Sequence, residues 1–125
     1  MKQFLTALTL LSSLAFVAPA SAGDVDAGKR VWNKCRTCHT LEEGGRNKIG
    51  PNLFGIFDKE AGQNPDFRYS KAMAESGMVW TEENMAKYLR SPGRTIRGTK
   101  MAFAGLRKDK EIEDLIAYMK AEMGQ

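Results

Sequence analysis

The stretch that decides the reading is Cys35-Arg36-Thr37-Cys38-His39, a Cys-x-x-Cys-His run in a chain with only two cysteines and one histidine. Two thiols separated by two residues, with an imidazole directly after them, make the pattern that attaches a c-type haem covalently. The thiols add across the two vinyl groups as thioethers, and the imidazole reaches the iron as its proximal ligand. At the end of a helix Cys35 and Cys38 lie one turn apart on one face, and His39 follows where the backbone turns beneath the ring. Three other chemistries share part of this pattern: a thioredoxin-like dithiol, a structural disulfide and half of a zinc site. A zinc site would need a carboxylate as its fourth ligand, and a dithiol fold would need strands flanking the motif. The segment before Cys35 has helical period instead, so haem attachment is the expected role.

Outward from the motif, the chain divides at Ala22. Lys2 gives a positive start, Leu5 to Val17 is mostly apolar, and Ala20-Ser21-Ala22 is a small-residue cleavage box. This predicts residues 1–22 as a signal peptide removed after Ala22, which puts the mature domain, 23–125, in the bacterial periplasm. The apolar run is shorter than the ~20 residues that a spanning helix needs, and no later segment reads as a membrane span. Removing Lys2 lowers the formal charge of +4 by one. A domain of this size buries a modest core, so a large flat cofactor would supply much of the apolar volume and the haem-free chain should fold poorly.

Within 23–125 the pattern is helical at both ends. Val25, Gly28, Trp32 and Cys35 fall on one helical face, with Asp24 and Asp26 near its start. Ile112, Leu115, Ile116, Met119 and Met123 make a second stripe, with Asp109, Glu111, Glu113 and Asp114 near its N-terminus. The two terminal helices are expected to cross, which would explain a glycine inside the first, where it costs ~1 kcal/mol against alanine. Ser70 caps a brief helix that Gly77 stops; Thr81 caps another that ends near Ser91-Pro92. The stretches 40–67 and 92–106 are rich in glycine and turn residues and show no sustained strand alternation. The fold class predicted is therefore all-α, a single domain of short helices and long loops wrapped around one covalently bound haem.

The sixth position on the iron separates a carrier from an enzyme. With one histidine in the chain, a second imidazole is excluded, which leaves methionine sulfur or lysine nitrogen. Of the seven methionines, Met1 leaves with the leader, Met85, Met119 and Met123 sit on core stripes, and Met73 and Met78 lie in the small helix and its exit. Met101 falls in Gly98-Thr99-Lys100-Met101-Ala102-Phe103-Ala104-Gly105, where flanking glycines let the backbone approach a flat ring. It reads either as a ligand or as a gap-filler.

The segments Cys35-Arg36-Thr37-Cys38-His39-Thr40, Gly50-Pro51-Asn52-Leu53, Gly98-Thr99-Lys100-Met101 and Leu115-Ile116-Ala117-Tyr118, in this order, resemble the class I cytochromes c, the small soluble kind. The resemblance covers nearly all of 23–125 and implies that fold, with crossing terminal helices. It also implies Met101 as the distal ligand opposite His39, and the Pro51 carbonyl as acceptor of the His39 Nδ1 hydrogen, a bond that fixes the tautomer and raises donor strength. By the same resemblance Tyr69 and Trp80 hydrogen-bond a haem propionate, Tyr88 stands near the methionine sulfur with Thr99 closing its polar network, and Phe103 lines the pocket. Gly28, Trp32, Leu115 and Tyr118 would form the contact between terminal helices. Four departures are visible: one residue fewer between Gly28 and Cys35 than in the mitochondrial members, Lys59 in place of an arginine near the propionate, Met73 in place of an asparagine, and Arg97 in place of a proline before the ligand loop.

With both axial positions filled, the iron has no open site, so the expected function is one-electron carriage and not catalysis. A haem enzyme or gas sensor with a labile sixth ligand, and an electron-transfer subunit of a dehydrogenase, are the alternatives. Lys34, Arg94, Arg97, Lys100 and Lys108, with Arg36 and Arg107, cluster around the two haem-binding segments and are expected to meet partners with acidic faces. A cytochrome bc complex, a terminal oxidase, a photosynthetic reaction centre or a dehydrogenase would present such a face. Nucleic acid is not an expected partner, and a monomer is the expected state.

Overall fold

The computed structural model describes residues 23–125, so the predicted leader and its cleavage site lie outside the described residues. Five helices follow in order: α1 (Val25–Trp32), α2 (Lys71–Ala74), α3 (Glu82–Arg90), α4 (Pro92–Thr95) and α5 (Asp109–Met123). Among the described residues the one β feature is an isolated bridge between Glu60 and Val79. No helix among them is long and apolar enough to cross a membrane.

Local chemistry sets the helix starts. Asp24 caps α1 by accepting from Ala27 N, Ser70 caps α2 by accepting from Met73 N, and Thr81 caps α3 by accepting from Asn84 N. Glu82 and Glu83 occupy the first turn of α3 and Lys87 and Arg90 its last, both favourable to the helix dipole. α5 ends at Gly124, whose φ of 68° is the left-handed cap that glycine adopts most readily. Two expectations are corrected. α1 stops at Trp32, and Asn33–Cys38 continue as turns, with Cys38 N and His39 N both bonding Cys35 O at 3.0 Å. The haem motif therefore sits on a tight coil after the helix. The stretch 92–106, read as loop, contains α4, which Pro92 starts because its fixed φ suits a first helical position.

α1 and α5 cross at Gly28. A Cβ there would lie 1.9 Å from Asp114 O and 2.7 Å from Tyr118 Cβ, so backbone meets backbone. Beside the crossing the Trp32 and Tyr118 rings stand 6.4 Å apart at 44°. Asp114, read from sequence as one of the acids near the start of α5, is instead buried at 5 % exposure. Its carboxylate accepts from Asp24 N at 2.7 Å and from Lys110 Nζ, which staples the start of α1 to α5.

The Lys110 hydrogen bond, helped by Asp24 N–H and the charge of Arg30, outweighs desolvation and holds the Asp114 carboxyl below its ordinary pKa of 3.8. A depressed carboxyl contributes stability above its unfolded value and loses it as pH falls through the folded one. Asp114→Asn is therefore expected to lower the unfolding midpoint at pH 7. The difference from the unsubstituted protein should persist down to about pH 4 and close below it, as urea titrations over that range would show.

Candidate functional site

A cavity of about 690 Å³ opens between the helices and the long loops. This lies within the ~300–1,000 Å³ typical of cofactor sites. Cys35, Cys38, His39 and Met101 all line it, although the last two are far apart in the chain, and its walls include Trp32, Leu53, Phe54, Leu89, Leu115 and Met119. Met85 and Met119, read as core methionines, are both: they are buried at 5 % and 2 % exposure and also face the cavity.

The His39 ring is locked from two sides. Its Nδ1 lies 2.8 Å from Pro51 O, which makes Nδ1–H the donor and leaves the Nε2 lone pair for a metal. Burial pushes its pKa below the ordinary 6.5, so the imidazole is neutral, as ligation requires. Against its face lies Gly50: a Cβ there would meet His39 Cε1 at 2.4 Å, Nδ1 at 2.7 Å and Nε2 at 2.8 Å. Only glycine lets the backbone lie flat on that ring. Gly50 N in turn donates to Cys38 O at 2.8 Å, which ties this segment to the Cys-x-x-Cys coil.

The two thiols do not resemble a dithiol redox pair. Burial pushes the Cys35 thiol up to about 11 against the opposing charge of Lys34, whereas exchange-active cysteines are driven the other way. Among the described residues no three His, Cys, Asp or Glu side chains converge on a point, so nothing completes a zinc site around the motif. An apolar slot, two half-buried thiols beside it, one neutral oriented imidazole and one thioether fit a covalently bound haem.

Met101 rides on a loop fixed at both ends. Gly98 and Gly105 take φ of 93° and 107°, a region that glycine enters without strain. A Cβ at Gly105 would lie 2.1 Å from Arg90 O, and Leu106 N bonds Leu89 O at 2.8 Å, so the loop returns against the end of α3. On the cavity side Tyr88 Oη and Thr99 Oγ1 are 2.7 Å apart, and Met101 N lies 3.4 Å from the same threonine oxygen. Trp80 meets Tyr88 edge-on at 5.1 Å. Phe103 lines the cavity two residues beyond Met101.

Tyr69 lines the cavity too, its hydroxyl accepting from Asn64 N at 3.3 Å, which leaves its own proton to donate. Burial raises the pKa of both Tyr69 and Tyr88, so each stays a protonated hydroxyl. The Trp80 indole N–H has no protein acceptor among the described residues, and Trp80 N bonds Lys59 O at 2.8 Å beside the same wall. Sequence reasoning missed the brace behind this wall. Asn47 Oδ1 accepts from Asn52 N at 2.8 Å and from Asn64 Nδ2 at 3.3 Å, joining three loop segments. Asparagines in glycine-rich loops read as turn formers, and only the tertiary fold pairs them.

The basic residues separate into two groups. Lys34 and Lys100 border the cavity. Lys34 also faces Glu111 at 3.8 Å, an exposed pair worth little, and Lys100 donates to Arg68 O with its ammonium over the Phe67 ring. Arg94, Arg97 and Lys108 are exposed but do not border the cavity, so the expected cluster is a tighter pair with outlying charges.

The chain is similar to known proteins in sequence and in fold. Residues 25–121 match the family model described as Cytochrome c. The chain is 45 % identical over 106 residues to cytochrome c2 of Blastochloris viridis, covering 85 % of this chain and 84 % of that one. It is 43 % identical over 97 residues to cytochrome c-550 of Nitrobacter winogradskyi, covering 78 % and 89 %. Among solved structures, cytochrome cH from Methylobacterium extorquens superposes with a TM-score of 0.74 at 34 % identity, over 79 % of this chain and 99 % of that one. With the helix crossing, the Cys-x-x-Cys-His coil and the slot beside it in place, the chain belongs to the cytochrome c family.

Proposed function

We propose that residues 23–125, released from a leader at Ala22, form a periplasmic one-electron carrier. Cys35 and Cys38 hold one haem c covalently, and His39 and Met101 are its axial ligands. The observation that carries the reading is the convergence of these four side chains on one slot, with His39 already oriented by Pro51. When bound, the haem supplies one-electron cycling of its iron between the ferrous and ferric states.

The chain's own residues then do three things. His39, held by Pro51 and Gly50, presents Nε2 as a strong neutral donor. The Tyr88–Thr99 hydroxyl pair and the two glycine-pinned ends hold the Met101 loop in one geometry, so little has to move when charge changes. The apolar wall keeps water out, and a low-dielectric surround disfavours the extra positive charge of the oxidised state, which raises the reduction potential. Tyr69 and Trp80 stand ready to donate to the propionates, and Lys59 offers a cation on the same wall.

A closed clamp leaves no coordination site for a small ligand. The reduced holoprotein is therefore expected to titrate as a single one-electron couple and to show no spectral change under carbon monoxide. Fast, complete carbon monoxide binding would overturn the carrier in favour of a haem enzyme or gas sensor.

Partners in this reading are redox complexes with acidic docking faces: a cytochrome bc complex, a terminal oxidase, a photosynthetic reaction centre or a dehydrogenase. Lys34 and Lys100 at the cavity border, with Arg94, Arg97 and Lys108 outside them, would steer such a face. The screening length falls from ~30 Å at 0.01 M salt to ~8 Å at 0.15 M. Over that range the bimolecular rate with a bc complex is expected to drop about tenfold or more. A rate independent of salt would contradict electrostatic steering.

A further inference from the structure

A second groove, of about 480 Å³, lies behind the haem motif. Trp32 and His39 border both this groove and the large cavity, so they form the partition between the two. One wall is the coil after α1, which brings Arg36, Thr37 and Glu42; the other is the end of α5, which brings Tyr118 and Glu122. Those last two are four residues apart and share a helix face. Trp32 and Leu41, at 8 % and 6 % exposure, supply apolar lining.

Tyr118 sets the groove apart from an ordinary surface crease. It is only 8 % exposed, and a tyrosine buried to that degree usually pairs its hydroxyl. Among the described residues the Tyr118 hydroxyl has no protein partner, and no enclosed polar side-chain atom lacks one, so this hydroxyl reaches open space. The groove is the space that Tyr118 borders. Burial, and after it the charge of Glu122, raise its pKa above the ordinary 10.0, so the oxygen keeps a proton to donate.

The charges around the groove are the second observation. Arg36 and Lys48 bring two cations and Glu42 and Glu122 two carboxylates, all exposed. Among the described residues none of the four is in an ion pair. The Lys48 ammonium instead donates to Arg36 O at 2.8 Å, and Asn52 Nδ2 donates to Glu42 O at 2.9 Å, which anchors the backbone carrying both signs. Opposite charges placed around one gap without meeting suit a ligand that carries both. An ion of one sign would find half of the rim against it.

We propose that this groove binds a free α-amino acid with an apolar side chain. An α-carbon holds its carboxylate and ammonium side by side, as α5 holds the Tyr118 hydroxyl and the Glu122 carboxylate. The hydroxyl donates to the ligand carboxylate, whose charge Arg36 and Lys48 balance; Glu122 takes the ammonium; the side chain rests on Trp32 and Leu41. The inference goes beyond the carrier reading and does not depend on it.

The test is titration of L-leucine into the reduced holoprotein, followed by amide NMR shifts. Isocaproate, which lacks the ammonium, and isoamylamine, which lacks the carboxylate, are the comparison probes. Leucine is expected to shift amides on the Arg36–Glu42 coil and at the end of α5 saturably, with each probe about tenfold weaker. Tyr118→Phe, which keeps the ring against Trp32, should weaken leucine about fivefold. Glu122→Gln should weaken leucine about tenfold and leave isocaproate unchanged, a split that a disturbed fold would not produce. Arg36→Gln should weaken leucine and isocaproate alike. No saturable shift up to the solubility of leucine would overturn the proposal, as would shifts that all three variants leave unchanged. Isocaproate binding as tightly as leucine would overturn it in favour of a plain anion site, and isoamylamine doing so in favour of a cation site.

Discussion

The double variant Cys35→Ala/Cys38→Ala, exported and purified without haem, is expected to lose most of its far-ultraviolet helical signal at 25 °C and to melt without a cooperative transition. The cause is the size of the slot. Leaving about 690 Å³ empty in the core, at ~24 cal/mol per Å³ of cavity, would cost about 17 kcal/mol. The whole stability of a domain this size is ~5–15 kcal/mol. Even at half that cost, to allow for the open mouth, most or all of the stability disappears, so the walls collapse or the chain unfolds. The α1–α5 crossing does not hold by itself once α3 and the long loops lose the surface they pack on. A native-like spectrum with a sharp melt would show that the protein core suffices alone.

The second large effect is expected at the helix crossing, from Gly28→Ala. Alanine is the better helix former by ~1 kcal/mol, which favours the variant if nothing else acts. Against it, the new Cβ would stand 1.9 Å from Asp114 O and 2.7 Å from Tyr118 Cβ, both inside the 3.0 Å that real Cβ atoms keep. Asp114 cannot retreat, since its carboxylate is bonded to Asp24 N and Lys110 on either side. The helices must therefore part, opening the Trp32–Tyr118 contact and the buried Leu115 beneath it. Overpacking of this kind costs ~1–3 kcal/mol and occasionally more; with backbone as the obstacle the upper end applies. At ~4–8 °C per kcal/mol for a domain this small, the melting temperature should fall by about 15 °C. Lys29→Ala, one residue on and exposed, should leave it nearly unchanged. Equal melting temperatures for Gly28→Ala and wild type would refute the close crossing.

Much of this was legible in the sequence where chemistry is local. Cys35, Cys38 and His39 announce themselves by spacing. The caps at Ser70 and Thr81 follow from side chains that bond their own helix starts, and Gly28 inside an apolar stripe signals a close approach. What was not legible depends on contacts between distant segments. Asp114 looks like one of several acids on a helix start, and nothing in its neighbours in sequence tells that Asp24 N will bury it. Asn47, Asn52 and Asn64 look like turn residues until three loops meet. Gly50 reads in sequence only as part of a motif, yet its role is to be absent as a side chain beneath His39. Pro92 reads in sequence as a helix stop and is also a helix start, because proline ends the preceding helix and favours the first turn of the next.

The central claim is that Met101 and His39 close the iron from both sides, and the optical spectrum of the oxidised holoprotein tests it most directly. A low-spin spectrum with a sulfur-to-iron charge-transfer band is predicted for the wild type. In Met101→Ala that band should vanish, with a reduction potential lowered by a substantial part of the ~0.8 V that axial ligands command. A high-spin five-coordinate wild-type spectrum, or a charge-transfer band that survives Met101→Ala, would contradict the account.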